Sequence, residues 1–364
     1  MADFDFKGRV ARARCIMNEH DIDCLHVTAG PNMTYFTGWS AYAGGWPVWL
    51  SAFLLPADGE PVLLISQMHY DIFKHAQSWV TDVRTHLDGE DPSEQLGDVL
   101  RELGASAGRI AVDDRMWFGD YRLLHQVAPS AEVISGSFII DGLRMIKDAA
   151  EIEALRKAND ISGVGFQKAA EVIREGVSEY QAAMEIAQAM LNAGSERMGV
   201  GGHFRSLSPR KIQGGDIIDI DIGGTWMGYG TDTARNVFVA PVTKEAERMW
   251  RVTAEAFDST FEIIKPGVPL EEIDAVCRDY MAQHGYKQVW KVGHGVGLGG
   301  VHEAPLVQAG ETMLTKPGMV FVVDPGCFVP DQWRDIPIHI ENAVVVTEEG
   351  AENLTTYTHD LVVV

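Results

Sequence analysis

The sequence predicts an α/β N-terminal domain followed by an α+β domain that contains an internal duplication. Three observations carry this. Over the first third of the chain, short apolar strand runs alternate with segments of helical spacing, the pattern of a layered α/β domain. From Lys147 the texture changes to long amphipathic helices with strand-rich segments between and after them. Within that second part, residues 215–223 (GDIIDIDIG) and 318–326 (GMVFVVDPG) share one pattern: Gly, five residues, Asp, one residue, Gly.

Taken in order, residues 8–22 have the spacing of an opening helix, 23–28 (DCLHVT) of a strand, and Gly30-Pro31-Asn32 marks a turn. Residues 49–55 and 61–66 flank Ala57-Asp58-Gly59, a hairpin signal. Helical spacing returns over 69–78 and 93–104, and 110–113 and 131–135 are short strand candidates. A boundary falls within 140–147, giving domains 1–142 and 143–364. The second domain opens with a helix over 147–174 closed by Gly176. A helix over 178–193 starts at Ser178 and stops at Gly194. Two more, over 243–264 and 269–284, end before Pro266-Gly267 and at Gly285.

The length, 364 residues, suits about two domains. At 46% hydrophobic and 23% charged the chain is ordinary globular material, which excludes disordered, collagenous and coiled-coil classes. Lys and Arg total 30 against 52 Asp and Glu, a net charge of −22. Such a surface repels phosphates and anionic lipid, so neither nucleic acid nor a membrane is an expected partner. Cys15, Cys24, Cys277 and Cys327 form no CxxC pair, which argues against a cysteine zinc site or a disulfide scaffold. The start has no signal-peptide character, and the longest apolar stretch, around 46–56, is interrupted by Pro47 and Ser51. The expectation is a cytoplasmic enzyme.

Asp221 and Asp324 each close an apolar strand run, and each is followed by a second strand that begins with an acid: Asp232 in TDTARNVFV and Glu341 in ENAVVV. One such acid alone is satisfied by turn amides. Four carboxylates converging from two matching hairpins need a counter-charge, which metal cations supply. His294, between Gly293 and Gly295, is the candidate imidazole ligand. Four carboxylates and one imidazole suit two Mn, Co, Fe or Zn ions better than Mg or Ca. Residues 295–300 fit GxGxxG, but Pro305 discourages the helix that a dinucleotide site requires, and HExxH is absent.

Ordered motifs along nearly the whole chain resemble the metallopeptidase family M24, with the pita-bread fold, in its prolidase, aminopeptidase P and creatinase branch. They are Asp221-Ile-Gly223, then Gly228-Tyr229-Gly-Thr-Asp232-Thr-Ala-Arg235, with the two acids eleven apart; Gly293 to Leu298, then His302-Glu303-x-Pro305; Lys316 to Phe321, then Asp324-Pro325; and His339-Ile-Glu341-Asn. Asn32-Met-Thr-Tyr35-Phe-Thr-Gly38 resembles the matching motif of the creatinase/prolidase-type N-terminal domain, and Leu143 to Lys147 followed by Glu151-Ile-Glu153 resembles the entry to the catalytic domain.

The resemblance implies a pita-bread catalytic domain with a pseudo-two-fold duplication, in which Asp221, Asp232, His294, Asp324 and Glu341 bind two metals. It implies that His302 binds the substrate carbonyl oxygen, that Asp324 accepts the proton of the attacking water, and that His203 lines the leaving-side pocket. It implies an Xaa-Pro dipeptidase or aminopeptidase acting on short peptides, and a homodimer, for which Trp39, Tyr42, Trp46 and Trp49 supply interface or core.

Four departures reopen the substrate. Asp324 stands where the family has Glu, His302 follows His294 by eight residues rather than seven, His339 replaces Arg, and the segment from 194 to 203 is about ten residues shorter than in typical prolidases. They leave open a non-peptidase on the same fold acting on a small zwitterion: a creatinase-like or ectoine-hydrolase-like C–N hydrolase, or a dimethylsulfoniopropionate-lyase-like enzyme. A silent binding module is a third reading, disfavoured by the intact ligand types. Asp219, two residues before Asp221 on the same strand face, is either a further site acid or a partly exposed strand acid. In a prolidase variant, Asp324→Glu is expected to keep or raise activity.

Overall fold

The computed structural model describes residues 4–39, 49–76, 78–199, 209–328 and 338–364. Tyr42, Trp46 and His203 lie outside the described residues. The chain divides into two compact units, one running to Arg144 and one from Met145 to Val364.

The first unit opens with α1 (Phe6–Glu19), whose N-cap Asp5 accepts from the amide of Gly8. It continues through β1 (Cys24–Thr28), α2 (Pro31–Thr37), β2 (Ala52–Pro56), β3 (Val62–Ser66), α3 (Gln67–Phe73), β4 (Asp82–His86), α4 (Ser93–Glu102), β5 (Arg109–Val112), α5 (Phe118–Val127), β6 (Glu132–Ser135) and α6 (Ser137–Met145). The strands form one mixed sheet in the order β4-β3-β2-β1-β5-β6. β1 is buried along its whole length, as a central strand covered on both faces must be. The turn expected at Gly30-Pro31-Asn32 is the start of α2. Pro31 occupies the first helical turn, where its missing N–H is harmless and its fixed φ suits a helix. Periodicity also missed β4, a half-exposed edge strand with the polar sequence DVRTH, and α5 and α6.

Asn32 and Tyr35 of the N-terminal motif act as structure. Asn32 Nδ2 donates to Asp113 Oδ2 at 2.7 Å, Arg144 Nη1 donates to Asn32 Oδ1, and the Arg9 guanidinium lies 4.2 Å from the Tyr35 ring centre. Trp39 is buried, edge-on to Phe73 at 5.3 Å, so it is a core residue of its own unit.

The second unit repeats itself. Its first half is α7 (Ala149–Val172), opened by a capping box between Asp148 and Glu151, α8 (Glu179–Asn192), capped by Ser178, then β7 (Ile217–Ile222), the short β8 (Thr225–Trp226) and β9 (Tyr229–Gly230), and β10 (Thr233–Phe238). Its second half is α9 (Lys244–Glu262), α10 (Leu270–Gln283), β11 (Gly293–Gly297), β12 (Gly300–Val307), β13 (Val320–Val323), the short β14 (Gly326–Cys327) and β15 (Ile338–His339), and β16 (Asn342–Val346). β17 (Ala351–Asn353) and β18 (Val362–Val363) follow. In each half a helix pair precedes an antiparallel strand pair, β7 with β10 and β13 with β16. The loop of each pair carries a two-stranded ribbon, β8-β9 or β14-β15.

The echo in the sequence is therefore the echo of this hairpin. Each helix pair covers its own half. Ile161, Phe166 and Ile186 pack with Ile218, Ile220, Ile222 and Val237, and Phe257, Ile273 and Cys277 pack with Phe321, Val323 and Val344. The sheets run β18-β10-β7 and β12-β11-β13-β16-β17. They meet where Ala234 and Glu341 exchange backbone hydrogen bonds of 3.2 and 3.1 Å.

At the entry to this unit, the Lys147 amide donates to Gly318 O at 2.8 Å, and its Nζ donates to Glu303 Oε1 at 3.1 Å, with the two side chains 1% and 8% exposed. Replacing one partner of such a pair strands a buried charge. Lys147→Met is expected to lower unfolding free energy by about 3–5 kcal/mol, read from the urea midpoint by circular dichroism. A change within about 0.5 kcal/mol, the range of ordinary surface substitutions, would show that the pair bears no load. Among the described residues no helix is long and apolar enough to cross a membrane.

Candidate metal centre

Strand alternation sets the first two acids. Ile218, Ile220 and Ile222 face the core, so Asp219 and Asp221 share the opposite face of β7. Asp232 directly precedes β10, Asp324 directly follows β13, and Glu341 directly precedes β16, so each hairpin brings its two acids to one end. His294 comes from β11, pressed between β12 and β13. A Cβ at Gly293 would stand 2.0 Å from Val322 O, and one at Gly295 would stand 2.1 Å from Ala304 O. Only glycine on both sides of His294 permits that approach.

The five predicted ligands converge. Within 4.8 Å of one another lie donor atoms of Asp221, Asp232 and Glu341; of His294, Asp324 and Glu341; and of Asp232, His294 and His302. His294 Nε2 is 3.4 Å from Glu341 Oε1 and 3.8 Å from Asp232 Oδ2. His302 is exposed and stands edge-on to His294, ring centres 4.2 Å apart. Its φ of +64° marks a bulge. Gly295 pairs with Glu303 and Val296 with Val301, so His302 is an extra residue on β12 between those pairs. That bulge takes up one residue, and the eight-residue spacing still brings the imidazole to the centre.

Burial and mutual repulsion govern the charges. Burial first, then Asp221, holds the Asp232 carboxyl well above its ordinary range, and burial with Asp232 and Asp324 does the same for Glu341. Burial also raises Asp324, although His339 opposes it. The His294 imidazole is pushed down to about 3, by burial first and by His302 next. It is thus neutral, with a lone pair to donate. Glu341 Oε1 is buried and receives no hydrogen bond among the described residues. A neutral imidazole, mutually repelling acids and an unmatched buried oxygen fit a cation centre.

Without metal, the three raised carboxyls keep protons that the unfolded chain would release, so their contribution to stability falls as pH rises from the ordinary carboxylate range through the raised values. Cation binding must expel those protons. Calorimetric titration of chelator-treated protein with Mn²⁺, in buffers of different ionisation enthalpy, is expected to show net proton release at mildly acid pH that shrinks as pH rises. Absence of release would mean the acids are already ionised.

Sequence motifs did not reveal what surrounds Asp324. His339 Nε2 lies 2.5 Å from Asp324 Oδ1, and His339 Nδ1 lies 3.4 Å from Asp219 Oδ1. Burial lowers the His339 pKa, but Asp324 and Asp219 outweigh it and hold it well above the ordinary value. Trp290 Nε1 and Gln288 Nε2 both donate to the Asp324 carbonyl oxygen, at 3.1 and 3.0 Å. The open alternative for Asp219 resolves toward the site, since its carboxylate faces His339. The contact also alters the expectation for Asp324→Glu: a longer acid would run into the imidazole.

Two antiparallel hairpins that deliver acids and a glycine-flanked histidine to one buried point define a metallohydrolase. Residues 153–348 match the pattern of metallopeptidase family M24, and residues 9–146 match the creatinase/prolidase N-terminal domain. The chain belongs to metallopeptidase family M24. It is 31% identical to a probable dipeptidase PepE of Mycobacterium tuberculosis over 99% of this chain and 96% of that one. It is 26% identical to an Xaa-Pro dipeptidase of Pyrococcus furiosus over 98% of this chain and 99% of that one. The crystal structure of a prolidase from Thermococcus sibiricus superposes with a TM-score of 0.89 at 26% identity, covering all of both chains.

Proposed function

We propose that the protein is a metal-dependent Xaa-Pro dipeptidase or aminopeptidase, with residues 1–142 as its N-terminal domain and 143–364 as its catalytic domain. The observation that carries this is the convergence of Asp221, Asp232, His294, Asp324 and Glu341 on one buried point, with the His302 ring 4.2 Å from His294. In this reading Asp221, Asp232 and Glu341 hold one divalent ion, and His294, Asp324 and Glu341 a second, from among Mn, Co, Fe and Zn. When bound, such cations supply Lewis acidity and a more acidic water.

The chain's own groups do the rest. Asp324 accepts the proton of the attacking water and returns it to the leaving nitrogen. His302, carried at the surface by its bulge, donates to the carbonyl oxygen as negative charge develops there. The enzyme is cytoplasmic and works as a homodimer, which light scattering at micromolar concentration checks.

The test is metal content by plasma emission on protein purified without chelators, together with hydrolysis of Ala-Pro, Gly-Pro, Xaa-Pro-Xaa tripeptides, creatine, ectoine and dimethylsulfoniopropionate. About two metals per chain with cleavage before proline is the expected result. Turnover of a zwitterion with no peptide cleavage would overturn it.

A further inference from the structure

Asp324, one of three aspartates among the five ligand-type residues, is held from several sides. Its amide donates to Val292 O at 2.7 Å, and its carbonyl oxygen receives Trp290 and Gln288, so its backbone is clamped on both sides. Its Oδ1 meets His339 Nε2 at 2.5 Å. His339 is itself fixed from three directions. Its amide donates to Asn236 Oδ1 at 2.6 Å, its ring lies edge-on to Trp290 at 5.3 Å, and its Nδ1 faces Asp219. All three members of this carboxylate–imidazole–carboxylate chain are at most 8% exposed. It runs from β7 of the first hairpin to the end of β13 in the second.

Asp324 shares a donor cluster with His294 and Glu341, but belongs to neither the Asp221–Asp232–Glu341 nor the Asp232–His294–His302 cluster. Support for Asp324 is therefore support for one half of the centre.

We propose that Asp219 and His339 are positioning residues for Asp324: they tie down its Oδ1, leave Oδ2 to face the cation beside His294, and set the affinity of that half of the centre alone. The inference rests on the two-cation reading given above. Residues that orient a metal ligand typically govern 10–100-fold in affinity.

The experiment titrates Mn²⁺ into chelator-treated full-length protein by calorimetry, with Co²⁺ absorption as a second readout. Wild type is expected to take two ions. His339→Ala is expected to keep one at wild-type affinity and to bind the other about 10–100-fold more weakly, with an altered Co²⁺ spectrum only for the second equivalent. His339→Gln, whose amide can still donate to Oδ1, is expected to recover most of the loss. Asp219→Asn, which leaves the imidazole in place, is expected to lose less than His339→Ala. Asp324→Glu, crowding the imidazole, is expected to weaken the same single site.

Equal weakening of both ions in His339→Ala, or no weakening of either, would overturn the proposal, as would a His339→Gln protein no better than His339→Ala. A wild-type protein that takes only one ion would instead refute the two-cation reading, and this is seen before any substitution is made. Circular dichroism of each metal-free variant separates these results from misfolding.

Discussion

Glu341→Gln is expected to empty the centre of tightly held cations and to lower kcat/KM on an Xaa-Pro dipeptide by about 10³-fold, a loss of about 4 kcal/mol in transition-state stabilisation. Removing Glu341 reaches both proposed cation positions, because its donor atoms belong both to the cluster with Asp221 and Asp232 and to the cluster with His294 and Asp324. Its backbone is fixed by the exchange with Ala234, so the charge lost at residue 341 is not restored by a shift of its own strand. Glutamine keeps the volume and loses the charge.

The same substitution carries a second expectation of opposite sense. Burial, with Asp232 and Asp324, holds the Glu341 carboxyl well above its ordinary range, so ionising it in metal-free protein works against folding. Metal-free Glu341→Gln is therefore expected to melt no lower than metal-free wild type at neutral pH, while the stabilisation that wild type gains from added Mn²⁺ disappears. Thermal melts with and without metal, beside emission analysis of metal content, check both parts. Full metal content with full activity would remove Glu341 from the ligand set.

His302 should behave differently. His302→Asn is expected to lower kcat by about 10²-fold, the scale of losing one oxyanion donor, with metal content unchanged. Asparagine is chosen over alanine because the position has a φ of +64°, a conformation asparagine tolerates and alanine resists. Its amide is too short to reach where the imidazole stands. Steady-state kinetics with emission analysis on the same preparation separates a lost donor from a lost metal. An unchanged kcat would mean the exposed imidazole does not touch the reacting carbonyl.

Much of the site was legible because it is written in local pattern. A strand that ends in an acid, repeated at one spacing, needs no knowledge of the fold to be noticed, and glycines on both sides of a histidine announce close backbone approach. The eight-residue step from His294 to His302 was legible as an irregularity, but its resolution was not. Only the pairing of β11 with β12 shows that one residue is taken up in a bulge. Glu303 read only as a member of the His302-Glu303-x-Pro305 motif, whereas its partner Lys147 lies 156 residues away in sequence. α2 was hidden by a Gly-Pro-Asn signature that serves equally well as a turn and as a helix start. His203 falls outside the described residues.

The sequence by itself determined the classes of group at the centre and the strand ends that carry them, because burial periodicity and turn chemistry are properties of neighbouring residues. It also determined the duplication, since two copies of one hairpin leave two copies of one pattern. The tertiary structure alone decided which atoms meet. Asp219, His339 and Asp324 stand at three separate points of the chain: the 2.5 Å contact forms when β14 pairs with β15 inside the second hairpin, and the 3.4 Å contact forms only when the two hairpins close against each other. The distance between side chains from different strands is set by packing, and no local pattern encodes it.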